Sequence, residues 1–477
     1  MKEFKVKQGN FIKSNDDTRK IMYRVILALV PIILFAFYKN GVLPLIKRTG
    51  SPFDLINLVL IILTPVVVSL FTEYIYYIIK KDKKTFTYLI EESFAIIPGL
   101  FIGLIIPIHT PLWLVALAAL IGSLSKMVFG GLGKNPLNPA LFGSLFIIVF
   151  ASSYIGKFGG YMNSYELDAL SAATPLSHFS ALAHVGTYKD IIGPYGSLLT
   201  FFFGNIPGAI GETSSLLCIA AFIYLTVTKT IKWRIPLYYV LTVFIMTLVI
   251  GLSNNMGLWY PLFNILSGGL LFGAVFMTTD PVTSPVSNQG QILGGIILGI
   301  LTVYIRYLTP YPEGVLISIL IFNILTLIIN RLSIKFNFNK LYKIISLIIV
   351  IIYCLILTII ISNRLDNSAS TSEVDPNFTV TNKEVIDGNN IYYVTSRGFN
   401  GKKSIKSKIT MNNNNIINIE ILSTSESYYK MVEDANYIDK LITNQNSLDS
   451  LDTVSGATYT SSYLKELVEK IKIYDKK

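Results

Sequence analysis

The chain has 477 residues, of which 52% are hydrophobic and only 14% charged, a balance that excludes an ordinary soluble protein and points to a polytopic membrane protein. The net charge of +11 would suit a nucleic-acid binder, but the basic residues sit in short loops beside apolar runs, so membrane lipid and not nucleic acid is the expected partner. Cys218 and Cys354 lie in apolar segments and no Cys or His cluster has metal-ligand spacing, so no iron–sulfur, zinc or haem site is expected.

Residues 1–20 are polar and basic and lead into an apolar run with no small-residue cleavage site. They read as a cytoplasmic tail and not as a removable signal peptide. Apolar runs long enough to cross a bilayer begin near Ile21, Leu55, Ser93, Leu112, Ala140, Ser214, Ile235, Pro261, Gln289 and Gly314, and an eleventh begins near Leu341. The predicted fold is a polytopic α-helical membrane protein. About ten helices occupy 21–331 and one more occupies 341–362, followed by a small extracytoplasmic α+β domain. With the N-terminus inside, the even loops carry Lys80, Lys81, Lys83 and Lys84; Lys126 and Lys134; Lys229, Lys232 and Arg234; and Arg331, Lys335, Lys340 and Lys343. The odd loops hold fewer: Lys39, Lys47 and Arg48, then Lys157 and Lys189, then Arg306. This asymmetry predicts a multi-pass membrane protein with a cytoplasmic N-terminus. Loop 156–211 and the C-terminal domain then share the extracytoplasmic side.

Residues 363–377 are rich in Ser, Asn and Asp and read as a linker to a domain over 378–477. Ile405, Ser407, Ile409 and Met411 alternate with lysines, and Ile417, Ile419 and Ile421 alternate with Asn418 and Glu420, which predicts two strands. Asn412–Asn415 suits the hairpin turn between them. Met431, Ala435, Ile438 and Ile442 have helical spacing, as do Leu464, Leu467, Val468 and Ile471.

Asp452-Thr-Val-Ser455-Gly456-Ala457-Thr458 has an echo far upstream in Asp168-Ala-Leu-Ser171-Ala172-Ala173-Thr174, each with an Asp six residues before a Thr. The Asp-x-x-Ser-Gly-Ala-Thr pattern resembles the site at which a flavin transferase links FMN to threonine by a phosphodiester. Small neighbours leave the backbone open to close approach, and a helix beginning near Thr460 would offer its N-terminal N–H groups to the phosphate. The plainer reading of the same letters is a Ser/Thr-rich helix cap. Ala172 replaces the glycine of the pattern at the upstream site, where the plainer reading is a loop with Asp168 capping a turn.

Lys126–Ala140, with Gly130-Gly131-Leu132-Gly133-Lys134-Asn135-Pro136-Leu137-Asn138-Pro139, resembles a signature of the RnfD/NqrB family. So do Gly204–Ser214 and Phe276–Pro285. Residues 377–472 resemble an RnfG/NqrC-type FMN-binding domain, so that two proteins usually separate stand here in one chain. The resemblance implies a ten-helix bundle carrying covalent FMN on Thr174 and Thr458, with Asp168, Ser171 and Ala173 and Asp452, Ser455, Gly456 and Ala457 as motif residues. It also implies a non-covalent flavin, riboflavin, in the membrane part. The implied role is an electron-transfer subunit of an Rnf-type complex coupling ferredoxin/NAD oxidoreduction to Na⁺ or H⁺ transport. Its partners would be the other subunits and a flavin transferase, with no complete active site in this chain and no catalytic residue of its own.

Gly130–Ala140 and Thr278–Pro285 break helices in or beside the membrane, which fits either cytoplasmic turns or an ion or buried-flavin path through Asn135, Asn138 and Asp280. Glu212 and Asp280 read either as a route for ions or as helix-start acids. His178 and His184 read as loop histidines. No Gly-x-Gly-x-x-Gly opens a βαβ unit, so no nicotinamide site is expected. The alternative functions are a stand-alone flavin conduit to extracytoplasmic acceptors without ion pumping, and a non-redox permease that would leave both threonine motifs unexplained.

Overall fold

The computed structural model describes residues 17–47, 52–82, 84–157, 174–182, 184, 186–309, 311–338, 340–370, 378–386, 389–397, 403–412, 415–424, 429–445, 447–448, 451–454 and 457–475. The helices of the apolar region begin within three residues of the apolar runs. Helix α1 (Thr18–Ile46) loosens into a π-turn at Tyr38–Val42, which brings Lys39 and Asn40 inside. Helix α2 (Pro52–Ile79) is followed by a short α3 (Phe86–Glu91), capped by the Thr85 hydroxyl, and by α4 (Ile96–Ile105). Next come α5 (Leu112–Val128) and α6 (Pro139–Phe150); Asn138 caps α6 by accepting from Ala140 N and Leu141 N, with Pro139 at the position where a missing donor costs nothing.

A second set of helices follows the short α7 (Pro175–Ala181). Helix α8 (Ser215–Val227) lies beside α1, and α9 (Arg234–Ser253) packs along α12. Helices α10 (Trp259–Leu266) and α11 (Leu270–Met277) are two halves of one path bent by 63°. Helix α12 (Asn288–Leu308) is capped by Ser287, and α13 (Val315–Phe338) packs on it. The last of the set, α14 (Lys340–Ser370), touches α9, α12 and α13.

Among the described residues, five helices are long and apolar enough to cross a membrane, or six if the bent pair is one span. The chain breaks at Ser93–Ala95 and Gly130–Asn138 take residues out of helix and leave Ile96–Ile105, Leu112–Val128 and Pro139–Phe150 as shorter apolar helices. Helix α14 runs to Ser370, beyond the expected end at 362. No Gly or Pro interrupts 363–370, so the helix continues past its apolar stretch into what the sequence reads as linker. Residues 371–377 of that linker lie outside the described residues, as does most of the N-terminal tail.

The C-terminal domain is a four-stranded antiparallel meander, β1 (Phe378–Ile386), β2 (Asn389–Arg397), β3 (Lys403–Asn412) and β4 (Asn415–Thr424), in the order β1-β2-β3-β4. Asn412 pairs with Asn415, which is the expected hairpin. In β3 the alternation holds: Ile405, Ser407, Ile409 and Met411 are buried. In β4 it does not. A register shift opposite Thr410/Met411 pairs Ile416 with Met411 and Asn418 with Thr410, so Ile416 and Ile419 face the core and Ile417 is 51% exposed. The 431–442 pattern is two helices, α15 (Tyr429–Asp434) and α16 (Tyr437–Thr443), parted at Asn436 with φ +48°. The buried set there is Val432, Tyr437 and Leu441. Helix α17 (Thr458–Asp475) buries Leu464, Leu467, Val468 and Ile471 against the sheet core.

Candidate functional site

In the C-terminal domain, Thr458 is the first residue of α17. Ala457 before it is 3% exposed, and its N–H donates to Val454 O at 3.0 Å, closing a tight turn ahead of the helix. Asp452 is exposed; Ser455 and Gly456 lie outside the described residues. Helix α17 has no acidic residue in its first turn, so the positive end of its dipole is uncompensated, which fits a phosphodiester at Thr458. Behind the motif stands Tyr437, 2% exposed; burial and then the Asp452 charge push its phenol up to about 12.

In the membrane part, Thr174 caps α7. Its hydroxyl accepts from Ser177 N at 3.2 Å and pairs with Ser177 Oγ at 2.9 Å. The residue is 3% exposed and lies beside the Glu313 carboxylate. Together with Glu212, Gly208, Gly268 and Glu313 it borders a pocket with about 10 Å³ of enclosed space. Two carboxylates and this small volume suit a phosphodiester less well than the Thr458 turn does: the flavin ring would lie outside the pocket, and the Thr174–Glu313 contact must part. Asp168, Ser171, Ala172 and Ala173 lie outside the described residues.

Glu212 is not the cap of the helix it precedes. Ser214 is, accepting from Leu217 N. The Glu212 carboxylate instead rests on Gly269, where an added Cβ would stand 2.4 Å from Oε1, at the start of the half-helix α11. Asp280 takes the turn role: Oδ1 accepts from Val282 N at 3.2 Å and Oδ2 from Thr283 Oγ1 at 3.1 Å.

Asp280 also meets Asn135 and Asn138 in a second, larger cavity. Its enclosed space is about 90 Å³. Ile97, Phe101, Leu132 and Phe276 form its apolar walls, and Lys126, Asn135, Asn138 and Asp280 its polar edge. Gly130, Gly131 and Gly133, all with φ near +90° to +104°, let the 129–138 loop fold over it. Apolar walls with a few convergent polar groups fit a flat ring system with a hydrogen-bonding edge.

Several buried groups were not singled out in sequence. Lys126, Lys39 and Arg306, counted there as loop charges, are only 1%, 1% and 2% exposed. Lys126 Nζ lies 2.7 Å from Glu73 Oε1 and donates to Ser93 O at 2.7 Å, while Ser93 Oγ also bonds Glu73. Arg306 donates to Asn264 O at 2.6 Å and Ser267 O at 3.3 Å. Arg306 thus covers the end carbonyls of the half-helix α10, and Lys126 the Ser93 carbonyl in the break after α3. Lys39 donates to Ile206 O at 2.5 Å. The signal available in sequence was a lone charge inside an apolar run. Of the two histidines read as loop residues, His178 is instead 9% exposed within α7, while His184 lies in the turn after it, where Nε2 contacts Arg306 O at 3.0 Å. Among the described residues no group of His, Cys, Asp and Glu could hold a metal ion.

Residues 5–339 match the NQR2, RnfD, RnfE family. The chain belongs to that family. Residues 398–471 match the FMN-binding domain. The chain is 31% identical over 341 residues, 71% of its length and 97% of the relative's, to a subunit of the proton-translocating ferredoxin:NAD(+) oxidoreductase complex of Clostridium ljungdahlii. It is 33% identical over 335 residues, 69% of its length and 93% of the relative's, to a subunit of the Na(+)-translocating ferredoxin:NAD(+) oxidoreductase complex of Acetobacterium woodii. A subunit of the Na(+)-translocating NADH-quinone reductase of Chromohalobacter salexigens is 34% identical over 267 residues, 53% of this chain and 61% of the relative. A family membrane domain and an FMN-binding domain are therefore joined in one polypeptide.

Proposed function

We propose that the chain is the flavin-bearing electron-transfer subunit of an Rnf-type membrane complex that couples ferredoxin/NAD oxidoreduction to Na⁺ or H⁺ translocation, relaying electrons between covalent FMN on Thr458 and on Thr174. The observation that carries this reading is the union of the two matched domains, 5–339 and 398–471, in one chain. The relatives' names supply the class of complex. In this reading the shorter apolar helices complete a bundle of about ten crossings, and α14 makes one more. Riboflavin would sit in the cavity of Asn135, Asn138 and Asp280. Bound flavin supplies the electron chemistry; the chain's residues hold it, tune it and keep water away. Maturation needs a flavin transferase, and ion transport needs other subunits.

The fusion also motivates a second reading, a flavin conduit to extracytoplasmic acceptors without ion pumping. Genes for the other translocase subunits beside this one favour the first reading, and their absence favours the second. The relay itself is tested by rapid reduction of the purified chain, followed by flavin absorbance. Two phases are expected; Thr458→Ala should remove one and slow the other. Unchanged kinetics in Thr458→Ala would contradict the relay.

A further inference from the structure

We propose that Ser461 is a positioning residue for flavin attachment at Thr458, with Lys465 supporting it from the next turn. The inference rests on the reading of Thr458 as the attachment site. Ser461 belongs to the buried stripe of α17, with Leu464, Val468 and Ile471, and is 0% exposed. An apolar side chain would suit that stripe better, because a buried hydroxyl is tolerated only when bonded. Ser461 Oγ accepts from Val454 N at 3.1 Å and donates to Ala457 O at 3.0 Å. The second bond is the common one from a helical serine to the carbonyl four residues back. The first is not local: it reaches seven residues back, across the motif turn. Ser461 therefore holds Val454 and the residue just before Thr458 at once. One turn further on, Lys465 Nζ donates to Leu451 O. Ser461 and Lys465, one turn apart on α17, thus fasten Leu451, Val454 and Ala457, which precede Thr458, to the helix that Thr458 begins.

This fastening matters for the chemistry. Attachment forms a bond from Thr458 Oγ to the FMN phosphorus of FAD, breaks the pyrophosphate P–O bond, releases AMP and passes the hydroxyl proton to a base of the transferase. In-line attack requires a fixed approach to the hydroxyl, and residues Val454 and Ala457, already bonded to α17, lose less entropy in reaching it.

The test uses the full chain carrying Thr174→Ala, so that covalent fluorescence reports Thr458 alone, with purified flavin transferase and FAD. The rate of attachment is measured across chain concentrations, alongside thermal unfolding of each variant. Ser461→Ala should lower the maximal rate about tenfold with a smaller change in KM, as expected when bonds that orient a reacting group are lost. Ser461→Thr, which keeps the hydroxyl, should restore it. Lys465→Met, outside the core, should slow attachment without altering the unfolding temperature. Attachment to Ser461→Ala and Lys465→Met at the parent rate overturns the inference, as does slowing no greater than the fraction unfolded. Absence of flavin on the parent chain would instead overturn the Thr458 reading, and the inference with it.

Discussion

Lys126 and Glu73 form an ion pair of 2.7 Å with side chains 2% and 0% exposed, at the break between α3 and α4. Removing one partner strands a buried charge, whereas replacing both with apolar groups removes the desolvation cost as well. Glu73→Met alone should therefore destabilise the membrane domain by about 3–5 kcal/mol, and Glu73→Met with Lys126→Met should recover most of that loss. Thermal unfolding in detergent measures both; additive losses in the double variant would count against the pairing.

A helix contact gives a second expectation. A Cβ added at Gly143 in α6 would stand 2.1 Å from Ala118 O in α5, a backbone atom that cannot swing aside. Small residues of this kind set how closely membrane helices approach. Gly143→Ala should cost about 1–3 kcal/mol by overpacking and lower the yield of folded protein. Wild-type stability of that variant would show that α5 and α6 are less closely packed than this contact requires.

The C-terminal domain should lose stability at alkaline pH through Tyr437. Its buried hydroxyl has no hydrogen-bond partner among the described residues, and its phenol is raised from 10.0 to about 12. The folded state thus holds the proton where the unfolded chain releases it. This contribution is complete below pH 10 and is lost as pH climbs from 10 toward 12. Tyr437→Phe should match or exceed the parent near neutrality and show a shallower alkaline decline in unfolding temperature. Equal declines in both proteins would remove Tyr437 as the cause.

Orientation is open to cysteine labelling in intact cells. Lys189 and Glu420 are exposed and belong to the segments that the relay needs on one side, while Lys80 is exposed at the end of α2. Lys189→Cys and Glu420→Cys should react with an impermeant thiol reagent and Lys80→Cys should not. Labelling of only one of the first two would separate the two flavin sites by the membrane and end the direct relay.

Helix positions were readable because apolar runs and caps are local: Asn138-Pro139 and Ser214 mark starts by their own chemistry. The face of β3 was readable for the same reason. The face of β4 was not, because the bulge that turns Ile417 outward is decided by pairing with Thr410 and Met411. The letters alone pointed to Thr458, and to Asn135 and Asn138, which the fold brings to one cavity. The sequence was opaque at Glu73, Arg306 and Glu313, whose roles exist only once separate helices bring a break, a cation and a carboxylate together. Lys126 illustrates the point: in sequence it is one more positive charge at a helix end, and in the fold it covers the Ser93 carbonyl.

Peptide mapping by mass spectrometry of the full chain, produced in cells with a flavin transferase, tests the central claim most directly. The account predicts that the peptide containing Thr458 carries FMN joined with loss of water, that the peptide containing Thr174 carries a second FMN, and that Thr458→Ala loses only the first. A Thr458 peptide recovered wholly unmodified, from cells that flavinylate another substrate of the same transferase, would contradict it.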